Sequence, residues 1–237
     1  MDTQPSRVDE LPSKSVTILV AIYNAKEFIK AKIENLQQLS TFDDCWVVLL
    51  NCLDNQNESE IYRDFVRSND NVLEIKYGAH VNLYPTWNHG IAITNSKYIM
   101  NSNVDDMLHP VYASQCARYL DDNPDIAVVS SRVLMTDTPN QVDHNIWEWC
   151  DEMPFHPYPL SSAGPCPMWR RSLHEKYGYF GDYRVIGDAR MWEKWLAGGE
   201  KFGLLDEKLV LYLRNQQSLE RRCDPQTGIP LRELDLQ

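Results

Sequence analysis

"VTILVAIYNAKEFIKAKIENLQQLS", residues 16–40, decides the architecture. Its first nine residues form an apolar run of strand type, and the remainder places Ile29, Ile33 and Leu36 at helical spacing, so a strand leads into a helix. The unit recurs. "CWVVLLNC" (45–52) reads as a second buried strand, and "SEIYRDFVRS" after it sets Ile61 and Phe65 on one helical face. "VLEIKY" (72–77) gives a third strand, "TWNHGIAITNS" (86–96) a helix and "KYIMNS" (97–102) a fourth strand. "PVYASQCARYLDDN" (110–123) is a helix with proline in its tolerated first turn. This alternation predicts an α/β fold: a Rossmann-like, mostly parallel sheet with helices on both faces and right-handed connections.

Ligands of such sheets gather beyond the carboxyl ends of the strands, so the polar residues that end each strand matter. They are Tyr23 and Asn24 after the first, Asn51 to Asp54 after the second and Asn103 to Asp106 after the fourth. The adjacent carboxylates Asp105 and Asp106 have the chemistry to hold Mg2+ or Mn2+, hard cations that take oxygen ligands and leave positions open for phosphates. The plainer reading is that Asp106 caps the following helix.

The second half is less regular. "DIAVVSSRVLMT" (125–136) is a strand, "NIWEWCDEMPFHPYPLSSAGPCP" (145–167) is too rich in proline for long elements, and "MWRRSLHEKYGYFG" (168–181) reads as a short helix with a glycine stop. "DARMWEKWLAGG" (188–199) is a helix ended by Gly198 and Gly199, and "KLVLYLR" (208–214) a last strand. Residues 1–14 read as a flexible lead-in and 219–237 as a tail.

At 237 residues one sizeable domain is the simplest arrangement. A net charge of −11, with no Lys/Arg run to offset it, argues against nucleic acid as the main partner. The six cysteines show no CxxC spacing and several sit in apolar stretches, which fits a reducing cytoplasm. No window approaches the roughly 20 apolar residues of a membrane span, and the start has no apolar signal core.

Taken in order, "VTILVAIYN", "WNHGIAITNSKYIMNSNVDD", "PMWRRSLHEKYGYFGDYRVIGDARMWEKWLAGG" and "KLVLYLRNQQS" resemble the blocks of family 2 glycosyltransferases, inverting nucleotide-sugar enzymes of the GT-A fold. The resemblance spans residues 15–218, and it implies a nucleotide-sugar-binding half (15–106) and an acceptor-binding half (107–218). In that family a strand-end Asp-x-Asp or Asp-x-Asp-Asp binds the divalent ion that bridges the donor's diphosphate. It maps to Asn103-Val104-Asp105-Asp106, implying Asp105 as metal ligand with Asp106 as helper, and Asn103 and Val104 against the nucleotide.

The same resemblance assigns Ala21, Tyr23 and Asn24 to the nucleoside, Asn51 to the base in place of the family's Asp-Asp pair, and Asn88 to the conserved Asn-x-Gly of the family's helix. Trp87 stands where Arg is frequent, and packing is the favoured reading. Asp188, after Gly187, corresponds to the catalytic base; by residue type alone it is also a good helix N-cap. A late His of the family is replaced by Asn215, with Arg214, Arg221 and Arg222 nearby as candidate diphosphate contacts. The aromatic residues Trp147, Trp149, Phe155, Tyr158 and Trp169 form the candidate acceptor wall, with a packed loop core or a protein interface as the competing reading.

The implied activity is transfer of a sugar from a nucleoside-diphosphate sugar, a UDP-sugar by default, to a saccharide acceptor in surface-glycan synthesis, with glycan-assembly or peripheral membrane partners. The alternative is a non-catalytic GT-A module that binds nucleotide or glycan and scaffolds a partner enzyme, since Asn51, Trp87, Asn103 and Asn215 fall where the family carries charge. A nucleotidyltransferase of the same fold lacks support, because no Gly-rich basic loop follows the first strand.

Overall fold

The computed structural model describes residues 11–153, 163–215 and 229–236. Four parallel strands form its first half: β1 (Val16–Ile22), β2 (Cys45–Asn51), β3 (Val72–Lys76) and β4 (Tyr98–Asn101), interleaved with α1 (Ile29–Gln37), α2 (Glu58–Ser68) and α3 (Leu83–Ala92). The second half contributes β5 (Met107–Leu108), α4 (Tyr112–Asp122), β6 (Ile126–Thr136), β7 (Asp151–Glu152), β8 (Met168–Arg170), α5 (Ser172–Tyr177), α6 (Gly187–Ala197), β9 (Lys201–Leu213) and α7 (Leu231–Leu234). All nine strands join one sheet in the order β3-β2-β1-β4-β8-β6-β9-β5, with β7 on β6. It is parallel through its first four strands and mixed beyond, where β8 runs antiparallel to both β4 and β6.

Alternation along β1 separates two cores. Val16, Ile18, Val20 and Ile22 meet α1, α2 and α4 on one face, whereas Leu19 meets α3 and α6 on the other. Strands covered on both sides have no solvent face, which is why they read as unbroken apolar runs.

Three local expectations change. In α2 the inward residues are Tyr62 and Phe65, while Ile61 is 37% exposed. Met168–Arg170, read as the start of a helix, is strand β8, recruited by the open edge of β4. The last strand begins at Lys201, seven residues before the apolar run that announced it, because pairing with β6 carries it on through the exposed Asp206–Lys208 bend.

The second core is aromatic. Trp169 is fully buried and packs edge-on against Phe180 and Trp192, so it serves the core rather than a sugar-facing surface. Its indole N–H donates to His174 Nε2 at 2.8 Å, and His174 Nδ1 faces the Gly178 carbonyl at 3.1 Å, so the ring is neutral with its proton on Nδ1. A second proton would have to sit on Nε2, against the indole donor. Burial pushes the His174 pKa down to about 4.

Because the unfolded chain protonates this histidine near its ordinary value and the folded chain does not, stability is complete above that value and falls as pH drops toward about 4. Urea denaturation is expected to show a loss of up to about 1.4 kcal/mol per pH unit between pH 6.5 and 4.5 from this group, absent in His174→Gln. Equal pH dependence in the two proteins would contradict the assignment.

Candidate functional site

The carboxyl ends of β1, β2 and β4 open onto one edge, with β1 between the other two. There the chain must turn polar, and it does so around a buried lysine. Lys32, on the inward face of α1, is fully buried, and its ammonium donates to Ser102 Oγ at 2.5 Å and to the Asp106 backbone carbonyl at 2.7 Å. One turn on, Asn35 grips β5 from both sides: its Nδ2 donates to Leu108 O at 2.7 Å and its Oδ1 accepts from Leu108 N at 2.9 Å. Two polar residues of α1 therefore hold both ends of the acid loop 102–108.

Within that loop the two carboxylates have different surroundings. Asp106 is 1% exposed; one oxygen accepts from Asn103 Nδ2 at 2.9 Å and the other from Leu213 N at 3.2 Å, stitching β9 to the end of β4. It caps no helix, since β5 intervenes and α4 starts behind Val111. Asp105 is half-buried and hydrogen-bonded by the side chain of Asn215, just past the end of β9. Burial pushes both carboxyls above the usual range, opposed by Lys32; burial in turn pushes the lysine down, opposed by the nearby Cys166 and the two acids. The three groups are a mutually dependent charge cluster.

The nucleoside candidates lie on the same edge. Tyr23 is 39% exposed with its ring against His80, 4.7 Å between centroids at 62°. Asn24 takes the left-handed backbone (φ 51°) that asparagine tolerates, and its Oδ1 accepts from Asn55 at 2.6 Å. Buried Glu58 ties the two loops together, accepting from Ala25 N at 3.1 Å and Gln56 N at 3.0 Å. Ala21 and Val104 are partly buried packing residues beside them.

Two further candidates turn inward. Asn51 is fully buried, its amide donating to the Tyr62 hydroxyl at 2.8 Å and its Oδ1 without a hydrogen-bond partner among the described residues. Asn88 uses both amide functions on the Phe180 backbone, at 2.8 and 3.0 Å, and so binds α3 to the loop before α6. Trp87 packs against Tyr84 and Phe180, as its residue type implied.

Asp188 is half-buried in the first turn of α6 and is not its N-cap, a place held by Ile186. Its Oδ1 accepts from Ala189 N at 2.8 Å and lies 3.0 Å from the Tyr84 hydroxyl, whose one proton it shares with the nearer Val185 carbonyl at 2.5 Å. Tyr84 lies in the first turn of α3, and Val81, shortly before it, donates to the Cys52 carbonyl at 3.3 Å at the tip of β2, so a chain of contacts links Asp188 through α3 to that strand end. Arg214 is committed to Asp137, with bonds of 3.0 and 2.5 Å, whereas Arg221 and Arg222 lie outside the described residues.

Among the described residues the aromatic wall does not assemble as one surface. Trp147 is 3% exposed and donates to Gln141 O at 3.1 Å, Trp149 is 82% exposed, and Phe155 and Tyr158 lie outside the described residues. The sequence reading missed Lys32, Glu58, His80 and Tyr84. A signal existed for Lys32, which stands three residues after Ile29 and four before Leu36 on the apolar stripe of α1.

Comparison with known proteins places this geometry. Residues 17–178 match the model of glycosyl transferase family 2. The chain is 22% identical over 212 residues to the uncharacterized glycosyltransferase MJ1057 of Methanocaldococcus jannaschii, covering 86% of this chain and 72% of that one. Among solved structures it resembles S. aureus TarS 1-349 in complex with UDP-GlcNAc, with a TM-score of 0.68 at 12% identity over 86% of this chain and 60% of that chain. The mannosyltransferase PcManGT from Pyrobaculum calidifontis, in complex with GDP-Man and Mn2+, gives 0.66 at 14% identity over 86% and 58%. The chain thus spans less than two thirds of either solved neighbour, and at these identities the likeness is one of fold, GT-A.

Removing the buried ammonium leaves the acid loop without its counter-charge. Lys32→Ala is expected to lower the free energy of unfolding by about 3–5 kcal/mol in urea titrations near neutral pH. A loss below about 1 kcal/mol would show that the loop does not depend on it.

Proposed function

The chain belongs to glycosyl transferase family 2, and from that membership we propose that it is an inverting glycosyltransferase carrying a sugar from a nucleoside-diphosphate sugar to a saccharide acceptor in surface-glycan assembly. The observation that carries the reading is the acid loop: a half-buried carboxylate, Asp105, at the carboxyl end of β4, on the sheet edge where Tyr23 follows the adjoining strand β1.

The donor set suits a catalytic Mg2+ or Mn2+ site. Among the described residues no three His, Cys, Asp or Glu converge as an all-protein cage. Asp106 has both oxygens engaged, so of the two loop acids Asp105 is the one offered, with Asn215 beside it. These ions are commonly held by one or two carboxylates together with substrate phosphates. When bound, such an ion would neutralise charge on the departing diphosphate.

The chain's own residues supply the rest. Tyr23 offers a ring face to the base, with His80 beside it, while Asn24, Asn103 and the Ala21 and Val104 backbone line the path of ribose and diphosphate. Asp188 accepts the proton of the acceptor hydroxyl as its oxygen bonds to the anomeric carbon and the bond to the diphosphate oxygen breaks. The Tyr84 hydroxyl holds one oxygen of that carboxylate and so fixes its direction. Among the described residues exposed Trp149 is the remaining aromatic candidate for the acceptor. Uridine is the default base; the neighbours' UDP-GlcNAc and GDP-Man make guanosine the rival to test. No helix among the described residues is long and apolar enough to cross a membrane. A cytoplasmic enzyme that meets a membrane-borne acceptor by peripheral contact is part of the same proposal.

Calorimetric titration with UDP and GDP checks the donor side: binding is expected with Mn2+ present and at least about tenfold weaker in EDTA or in Asp105→Ala. Equal affinity in EDTA removes Asp105 from the metal. On the catalytic side, Asp188→Asn is expected to retain nucleotide affinity and lose roughly 100-fold or more in turnover; unchanged turnover places the base elsewhere.

A further inference from the structure

A site that tells one nucleobase from another needs polar side-chain atoms that are both free and reachable. At the tip of β2 those atoms are turned to other tasks. The Asn51 amide is spent on Tyr62, and its Oδ1 has no surface open to solvent. Asp54 has both oxygens engaged at the start of α2, one accepting from Ser59 N at 3.0 Å and the other from the Ser59 hydroxyl.

The segment between β3 and α3 carries a free group instead. His80 is exposed, its ring stands 4.7 Å from that of Tyr23 at 62°, and neither of its nitrogens is hydrogen-bonded among the described residues. The chain on both sides of it is tied down. Tyr77 N donates to the Asn51 carbonyl at 3.1 Å, Val81 N to the Cys52 carbonyl at 3.3 Å and the Asn82 amide to Asp182 at 3.1 Å. An open imidazole thus rides on a short exposed stretch, 78–80, between fixed ends, which limits the ordering cost of using it on a ligand. The inclination of the two rings makes a corner. A flat base laid on Tyr23 on the imidazole's side meets His80 with its edge, where a base carries its carbonyl and N–H groups.

We propose that His80 reads the edge of the nucleobase lying on Tyr23, doing from the β3–α3 segment what the buried tip of β2 does not. The inference rests on the chain binding a nucleoside diphosphate. An imidazole with one proton offers one donor and one acceptor, and uracil and guanine both expose a carbonyl beside an N–H that it can meet.

The test is calorimetric titration of the full chain in Mn2+ with UDP, GDP and inorganic pyrophosphate, using wild type, His80→Ala, His80→Phe and His80→Gln. In His80→Ala the tighter-bound nucleotide is expected to lose about 3- to 10-fold in affinity, with pyrophosphate within about twofold of wild type and any preference between UDP and GDP narrowed. His80→Phe keeps a ring against Tyr23 without a hydrogen bond and should fall with alanine; His80→Gln keeps a donor and an acceptor and should restore part of the loss. The proposal is overturned by nucleotide affinity within about twofold of wild type in His80→Ala, by a His80→Phe as tight and as selective as wild type, or by an equal loss for pyrophosphate. A wild type that binds neither nucleotide sinks the nucleotide-site reading and this inference with it, whereas tight wild-type binding and an unaffected His80→Ala sink this inference alone.

Discussion

An ammonium group shut away from water must be answered by the atoms around it, and Lys32 dictates what those atoms are. Burying a charge without partners costs several kcal/mol, so the Ser102 hydroxyl, the Asp106 carbonyl and the two carboxylates beyond are held where the lysine needs them. The requirement fixes the path of the chain between β4 and β5. It also explains the asymmetry of the acid pair: Asp106 sinks inward to serve Asn103 and the end of β9, and Asp105 is left at the rim beside Asn215. Through Asn35 the same helix grips the far end of the loop, so one helix face sets both strand-end geometry and charge.

The first half of the fold was legible because strands buried on both faces leave a plain mark. β1 and β2 are continuous apolar runs, and each is followed by a helix whose apolar positions repeat on schedule. β8 was not legible. Three residues carry too little pattern, and the helical signal of Ser172–Tyr177 directly after them spread backward over "MWR". The strand exists because β4 and β6 each present an edge to it, a fact of tertiary pairing.

Site legibility divides along the same line. Tyr23, Asn24 and Asn103 to Asp106 stood out because a run of apolar residues ends in polar ones, and the sheet does bring them to one edge. Asn88 and Trp169 have residue types that fit either a ligand or the interior, and only their partners, distant Phe180 for Asn88 and nearby His174 for Trp169, decide for the interior. Lysine is so rarely buried that Lys32 was passed over despite lying on the apolar stripe. Asp235 accepts from the backbone N–H groups of residues 184–186, far behind it in the chain, which no local pattern announces. Local pattern thus revealed where chemistry could occur, while the residues that hold it in place were visible only after folding.

The central proposal is that Asp105, steadied by this buried charge, meets a divalent ion on a nucleoside diphosphate. Crystals grown with UDP and Mn2+ and measured for manganese anomalous scattering test it most directly. The account predicts one strong peak within about 2.3 Å of an Asp105 carboxylate oxygen, touching the diphosphate, with Asp106 still bound to Asn103 and Leu213. A bound nucleotide with no peak at Asp105, or a peak coordinated elsewhere, would contradict it.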